Sequence, residues 1–473
     1  MKTKLCQALA LLLCVALFLC LIPTAFAENA ESLTIPDGVT VIEAEAFSGC
    51  ESITQVIIPA GVTRIGYGAF EDCRNLLEVR YNGLPSQWDA INFGEQNDSL
   101  FHSAIRFGNG QYRVPIHERF FPDEQFRKYV QTFDLDDNQV LNEVEIDAVT
   151  AIDVSSGSVM EPGPVKSLKG LEFYRKLETL ICFNNQLTEL DLHDNSALKT
   201  LACGLSFNGF NLGNSLTELD LSGCPDLLLL LCDNNQLEHL DLSGNPSLRT
   251  LACGNNLLDE LIISDKPDLE YLDCANNGLS GLDVSANAKL TELYCGHNKL
   301  RALDLSGNTS LRAFNCDYNG METLILGQNV YLFNFGAMSN NLSELDVSGL
   351  PNLQVLGCGN NQLTEIDLSH NPILNRAHIW SNQLIELDIS HNPCLFFLDV
   401  RDNLFDTLDI SPAKNLVNLV SDPRVVIEEK SYHGHLYYYY TCEGHYVEDG
   451  GQRMNHTLTV DKNVNLIYES ESH

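Results

Sequence analysis

The sequence predicts a β-rich repeat solenoid, in which short coils stack and each buries its apolar side against its neighbours. Two observations carry this. Cysteine returns every 21 residues at Cys232, Cys253, Cys274, Cys295 and Cys316, with Cys182 and Cys203 upstream at the same spacing and Cys358 after one missed step. The neighbours return with it, as in Leu-Thr-Glu-Leu-Asp-Leu at 187–192 and Leu-Glu-His-Leu-Asp-Leu at 237–242. A fixed period of this length is the signature of stacked repeats. Such chains are more often binding surfaces than enzymes.

The chain opens with Lys2 and Lys4, an apolar run from Leu5 to Ile22, then Pro23 and Ala25-Phe26-Ala27. This pattern predicts a secretory signal over residues 1–27, removed after Ala27. Leu19-Cys20 lacks the small residue expected before a lipid-acceptor cysteine. No second apolar run is long enough to span a membrane, and no Leu-Pro-x-Thr-Gly sorting motif is present. The expectation is a secreted monomer, extracellular or loosely held at a cell surface, with no membrane insertion. The formal charge is −36. Removal of two lysines with the signal takes it to about −38, which argues against nucleic acid or anionic membrane as partners and favours cations or basic surfaces.

Three of the 16 cysteines (Cys6, Cys14, Cys20) lie in the signal, leaving 13, an odd number. Secretion invites a disulfide framework. The periodicity favours free buried thiols instead: a cysteine in the same slot of each coil acts as a small apolar packing unit. Strands stacked about 4.8 Å apart with parallel side-chain bonds also suit disulfide geometry poorly.

Residues 28–112 carry a different repeat. Ile35-Pro36-Asp37-Gly38-Val39-Thr40 returns 23 residues on as Ile58-Pro59-Ala60-Gly61-Val62-Thr63, and Ala46-Phe47-Ser48-Gly49-Cys50 as Ala69-Phe70-Glu71-Asp72-Cys73. Each unit reads as a strand, a Pro/Gly turn and a short helical piece. It resembles the BspA-type leucine-rich repeat of bacterial surface proteins, and the stretch through Trp88 to Ile105 looks like the ending of such an array.

Residues 113–155 break the periodicity. Pro122-Asp123-Glu124-Gln125 starts a helix with Phe126, Tyr129, Val130 and Phe133 as its apolar stripe. The loop Asp134 to Glu145 then has the ligand order of an EF-hand: Asp134, Asp136, Asn138, the Val140 carbonyl, Asn142 and Glu145 at positions 1, 3, 5, 7, 9 and 12. Gln139 stands where glycine eases a left-handed turn, at a cost of about 1 kcal/mol. The expectation is a weak structural calcium site; the alternative is a connector that keeps the shape without the ion. No organic cofactor is expected.

Residues 156–420 hold eleven 21-residue coils, with Ala337, Ile379 and Val400 replacing the cysteine in three. Three residues on stands asparagine, from Asn185 and Asn235 to Asn403, with Ser206 as the exception. The second half of each coil reads Leu-x-x-Leu-Asp-Leu-Ser-x-Asn. The two half-repeats resemble the nested bacterial leucine-rich repeat called IRREKO, which implies two short parallel strands per coil and two parallel sheets. The second coil is eight residues too long, and the excess, within Leu205–Asn214, should loop out. Residues 421–473 read as a C-terminal β cap or small β domain.

Other constellations are weaker. His433, His435, Cys442 and His445 offer zinc-type ligands or simply decorate a polar hairpin. The acidic column Asp191, Asp220, Asp241, Asp283, Asp304, Asp346, Asp367, Asp388 and Asp409 sets like charges roughly 5 Å apart, each pair repelling by ~0.8 kcal/mol in water. Hydrogen bonds to turn amides are the expected relief. No catalytic motif stands out. Strand alternation turns the residues beside the cysteine slot outward: Tyr271 and Tyr294 in the middle coils, then Arg376, His378, Trp380, Phe397, Asp399 and Arg401. Aromatic and arginine side chains together are the composition of interaction hot spots. The expected function is non-enzymatic recognition of an extracellular protein or glycan, host-derived or otherwise, through the exposed sheet; the alternative is a rigid extracellular spacer.

Overall fold

A computed structural model describes residues 32–158, 161–207, 209–421, 424–432, 435–441, 446–449 and 452–468. The signal segment and His433, Cys442 and His445 lie outside the described residues. Among those described, the chain forms two compact units, residues 32–154 with 164–177, and residues 155–158 and 161–163 with 178–468. No helix among the described residues is long and apolar enough to cross a membrane.

In the first unit the 23-residue repeats build two parallel ladders. Ser32–Thr34, Gln55–Ile58, Glu78–Tyr81 and Ala104–Phe107 pair in parallel, like against like. Val41–Ile42, Arg64–Ile65 and Asn92–Phe93 form the second ladder. The helical piece expected in each repeat is a run of turns, and Phe47 stacks on Phe70 at 5.2 Å where those turns meet the core. The first true helix of the unit, Pro85–Asp89, buries Trp88 between Tyr81 and Phe93. Strand Tyr112–Pro115 then turns back antiparallel on Ala104–Phe107. The helix Glu124–Val130 follows, capped by Asp123 rather than opened by Pro122, with Asp123 Oδ1 accepting from the amides of Gln125 and Phe126 at 2.9 Å. Residues 164–177 belong to this unit because Phe173 and Tyr174 pack on Phe120, Phe121 and Phe133 with ring centroids 5.8–6.0 Å apart.

In the second unit one parallel sheet runs the length of the 21-residue array, from Thr179–Ile181 to Phe397–Asp399. Each rung is about three residues long and in the same register, as Tyr271↔Glu292, Leu272↔Leu293 and Asp273↔Tyr294, except that a bulge between Ala202 and Gly204 sets Gly204 opposite Cys232. The central residue points inward, and leucine there is fully buried at 251, 272, 293, 356 and 398. Such burial stabilises by about 1.5–3 kcal/mol per side chain. The cysteine column is buried as free thiols. Burial pushes Cys203 and Cys358 up to about 12, so they stay protonated and inert.

The second sheet implied by the half-repeats is only partly built. Among the described residues its strands appear at Ala302–Asp304 with Thr323–Ile325, and at Thr407–Asp409 with Asn465–Ile467. Elsewhere this side of the coils carries single backbone bonds between coils, such as Gln236 N to Leu216 O at 2.8 Å, too few for a ladder.

Asparagine joins the coils. Asn256 Nδ2 donates to the carbonyls of Cys253 and Gly254 in its own coil and Cys232 in the coil before, at 3.0–3.2 Å, while its Oδ1 accepts from Leu237 N at 3.1 Å. The second coil keeps this bridge through Asn214, which bonds Cys182 O and Cys203 O and accepts from Leu187 N. Ser206 is therefore not the slot residue: the insertion shifts the slot asparagine to 214. A second ladder uses Asn245, Asn287, Asn308, Asn371 and Asn392, where Cys224 Sγ imitates the amide at 3.7–3.8 Å. The residue just before each first-ladder asparagine except Asn214 is left-handed, from Asn184 (φ 55) to Asp402 (φ 60).

The array ends on its own continuation. Thr457–Asp461 pairs parallel with Phe397–Asp399 as one more rung, and His435–Thr441 lies antiparallel beside it. A helix, Lys414–Ser421, precedes these strands and buries Leu416, Val417 and Leu419.

The ladder and the cysteine column can be weighed against each other. Asn361→Ala leaves the Leu342 amide without its acceptor in a dry interior and takes one of two donors from the carbonyls of Ala337, Cys358 and Gly359, and should cost about 2–3 kcal/mol. Cys358→Ala should cost about 1 kcal/mol. Denaturation midpoints of the two variants decide; an Asn361 variant no weaker than the Cys358 variant would remove the ladder from its structural role.

Candidate functional site

The two acidic populations of the second unit behave in opposite ways. On the second half of each coil, Asp220, Asp241, Asp283, Asp304, Asp346, Asp367, Asp388 and Asp409 each accept the amide of the serine two residues on at 2.7–2.9 Å. Asp191 makes the same bond to His193 N at 3.1 Å. Serine hydrogen bonds hold carboxyls such as Asp220, Asp283 and Asp367 below their ordinary range. These acids are spent on turns.

On the sheet face the acids are squeezed. Asp233 is 2% exposed, and burial, then the charge of Asp273, pushes its carboxyl up to about 7. Its Oδ1 accepts Gly254 N at 2.8 Å. Gly254 lies between the two carboxylates: a Cβ there would stand 3.2 Å from Asp233 Oδ1 and 3.3 Å from Asp273 Oδ1. Burial also raises Asp273, whose Oδ1 accepts Ala275 N, and Asp317, whose Oδ1 accepts Met338 N at 2.6 Å. Glycine and alanine in the intervening positions let these side chains lie along the sheet.

Tyr271 and Tyr294 stand beside this group, half-buried, with ring centroids 5.9 Å apart. Tyr294 Oη donates to Glu292 Oε2 at 2.8 Å. One continuous face thus carries two tyrosine rings with Asp233, Asp273 and Glu292. Raised carboxylates beside aromatic rings suit a cationic group, which would regain charge pairing and ring contact together.

The late-coil residues are arranged differently. Arg401 lies over the Trp380 ring at 5.6 Å and over Tyr437 of the cap at 4.9 Å, and meets Asp399 at 3.3 Å. Asp399 does not face solvent: it is 6% exposed, because the rung Thr457–Asp461 lies against its strand, and burial pushes it up to about 6. Trp380 lies on Gly359, within 2.6 Å of where a Cβ would be. Of the expected late-coil residues Asp399 is buried under the cap, while Trp380 and Arg401 are half-buried. Arg376, over Phe396 at 5.4 Å, His378, 4.4 Å from the Phe397 ring, and Phe397 itself stay half-buried on the face. Burial, then the charges of Arg376 and Arg401, lowers His378.

In the first unit, the loop 134–145 brings Asp134, Asp136 and Glu145 together, one carboxylate oxygen from each lying within 4.8 Å of the others. Asp134 Oδ1 and Oδ2 accept the amides of Asn138 and Gln139, and Asn138 Oδ1 accepts that of Val140. Glu145 closes the loop, accepting from Leu135 N and Asn142 N at 2.9 Å, while Asn142 caps the helix Glu143–Asp147. Gln139 adopts φ 64 and Asp137 φ 56, the left-handed turns such a loop needs. Desolvation, then Asp134 and Glu145, holds the Asp136 carboxyl above its ordinary range. An oxygen-only donor set of this kind fits a hard divalent cation such as calcium. Val140–Asn142 is a strand, and it pairs antiparallel with Tyr112–Pro115. That strand occupies the place where a second hand would pair.

Residues 23–94 match the BspA type leucine-rich repeat region, in six copies. The fold of the chain is a leucine-rich-repeat solenoid. No curated protein matches the sequence. Similar solved structures include the functional domain of InlJ from Listeria monocytogenes, described as including a cysteine ladder (23% identity, 74% of this chain and 98% of that one, TM-score 0.38). Others are the internalin InlF of the same organism (22%, 64% and 95%, 0.49) and a leucine-rich-repeat protein of Leptospira interrogans (16%, 80% and 89%, 0.47).

Sequence reasoning passes over Asp233, because one acid among 64 Asp and Glu residues draws no notice. Its signal is positional: it sits in the slot after cysteine, which the adjacent coils fill with Gly204, Gly254 and Ala275.

A carboxyl raised from about 4 in the unfolded chain to about 7 binds its proton more tightly when folded. Its contribution is complete below about pH 4 and is lost as pH rises through about 7. The second unit should therefore melt higher at about pH 5 than at about pH 8, and Asp233→Asn should remove most of that difference. Asp399 works in the same direction through about 6. Melting curves across this range check it; a difference unchanged in Asp233→Asn would move the titration elsewhere.

Proposed function

We propose that the protein is a secreted, non-enzymatic recognition protein that binds an extracellular protein or glycan through the sheet face of the 21-residue array. The observation that carries this is the middle-coil group, Tyr271 and Tyr294 beside Asp233, Asp273 and Glu292. Asp233 and Asp273 are held by burial away from their ordinary ionisation, whereas the acids of the opposite side are satisfied by turn amides. A partner presenting lysine or arginine is the best match, and the overall negative charge steers such a partner toward the face. The evenly satisfied aspartate column supports the second reading, a rigid spacer, since it leaves nothing unmet for a ligand.

The 134–145 loop is proposed to hold calcium in a structural role, with Asp134, Asp136, Asn138, the Val140 carbonyl, Asn142 and Glu145 as ligands. An extracellular site can be weak and still be filled.

Two measurements test these readings. In a binding screen against extracellular matrix proteins and glycans, Tyr271→Ala with Tyr294→Ala should weaken the interaction by about 2 kcal/mol, about 30-fold in Kd. Trp380→Ala should matter less. Binding that ignores the tyrosines, or that strengthens with added salt, counts against the sheet face. For the loop, calcium should raise the melting midpoint of the native chain, and Asp136→Asn should abolish the rise. Gln139→Gly should tighten binding by relieving about 1 kcal/mol of backbone strain. A midpoint indifferent to chelator removes the ion.

A further inference from the structure

The eight extra residues of the second coil are a built element. Thr200–Phe207 and Phe210–Leu212 form an antiparallel hairpin, with Ser206 opposite Asn211 and Phe207 opposite Phe210. Gly209 turns it at φ 80. Both legs press against the next coil where only glycine fits. A Cβ on Gly204 would lie 1.8 Å from Asp233 O, and one on Gly213 would lie 1.6 Å from Asn234 O. A drifting loop would need neither constraint.

Beside the hairpin opens a cleft of about 440 Å³ whose side chains are asparagine at 184, 211, 214, 234 and 255, completed by one proline and one glycine. No charged side chain lines it, in a chain with 64 acidic and 28 basic residues. Most of its amide NH₂ groups are committed to the fold. Asn184 Nδ2 donates to Ser156 O and Ser158 O, Asn234 Nδ2 to Leu205 O and Ser206 Oγ, and Asn255 Nδ2 to Ser206 Oγ. Asn214 is used at both ends of its amide. What remains toward solvent is the exposed carboxamide of Asn211 and the half-buried side chain of Asn255; Asn234 Oδ1 accepts no hydrogen bond from a described residue but is itself buried. At the tip of the same hairpin Phe207 and Phe210 are 56% and 41% exposed.

We infer that this cleft is a binding site for a neutral sugar chain. A lining of amide side chains without a charge calls for a neutral ligand rich in hydroxyl groups. A cationic ligand would find carboxylates on the neighbouring sheet face and none here, and an anion would find no compensating charge. The phenylalanine pair offers an apolar platform, on the other face of the hairpin from Ser206 and Asn211, over which the next part of a chain can lie. The site is separate from the Tyr271–Tyr294 face and does not depend on it.

The test is affinity electrophoresis of the full chain in gels containing xyloglucan or mannan, with polygalacturonate as the anionic comparison. At least one neutral polysaccharide should retard the protein. Asn211→Ala, an exposed change that leaves the fold alone, should weaken retention about tenfold, the size of one lost hydrogen bond. Phe207→Ser with Phe210→Ser should do likewise, and Tyr271→Ala with Tyr294→Ala should leave it unchanged. No retardation by either neutral polymer, stronger retention by polygalacturonate, or equal retention of the hairpin variants overturns the inference.

Discussion

The structure of the second unit depends on one side-chain amide per coil. In every coil but the second a left-handed residue follows three places after the rung, and the chain turns inside the stack, where water cannot serve the carbonyls and amide it leaves behind. The asparagine that follows answers them in its own coil and in the coil before. Leaving such groups unmet costs more than making any one bond contributes. The asparagine must therefore recur at one depth. That demand sets the 21-residue step, and the step keeps the rungs in one register outside the bulge at Ala202–Gly204. The sheet face is consequently a grid, on which residues 21 apart are neighbours.

On such a grid the same residue type acquires opposite characters according to its column. Aspartate two places before a turn serine finds an amide and ionises readily. Aspartate beside the cysteine slot lies flat between coils, loses water and resists ionisation. Serine two places on stabilises the first population; glycine and alanine in the adjoining coils create the second, by providing room for a carboxylate to lie down. This separates scaffold from candidate site without any appeal to exposed charge, which is plentiful throughout.

Much of this is legible in the sequence because it is periodic. The inward leucines, the thiol column and the asparagine slot each repeat, so one coil predicts the next. Features that break the period are harder to see. The slot asparagine of the second coil is displaced to 214 by the hairpin inserted before it. Strand alternation aims Asp399 and Arg401 outward, but the segment that covers them, Tyr437 and residues 457–461, lies far along the chain. The second sheet is written in the half-repeats, yet too few backbone bonds form between coils to build it along the whole array. For the 134–145 loop the ligand order is plain to read, while the strand that partners it is not, since Tyr112–Pro115 carries no mark of that role.

That partnering has a consequence for how the first unit meets its surroundings. Val140–Asn142 is the outermost strand of its sheet. The unpaired groups of an outermost strand invite another chain to add itself. Here the strand is short and runs directly into the Asn142 cap of a helix, so the acidic loop that shapes it also seals the sheet against end-on self-association.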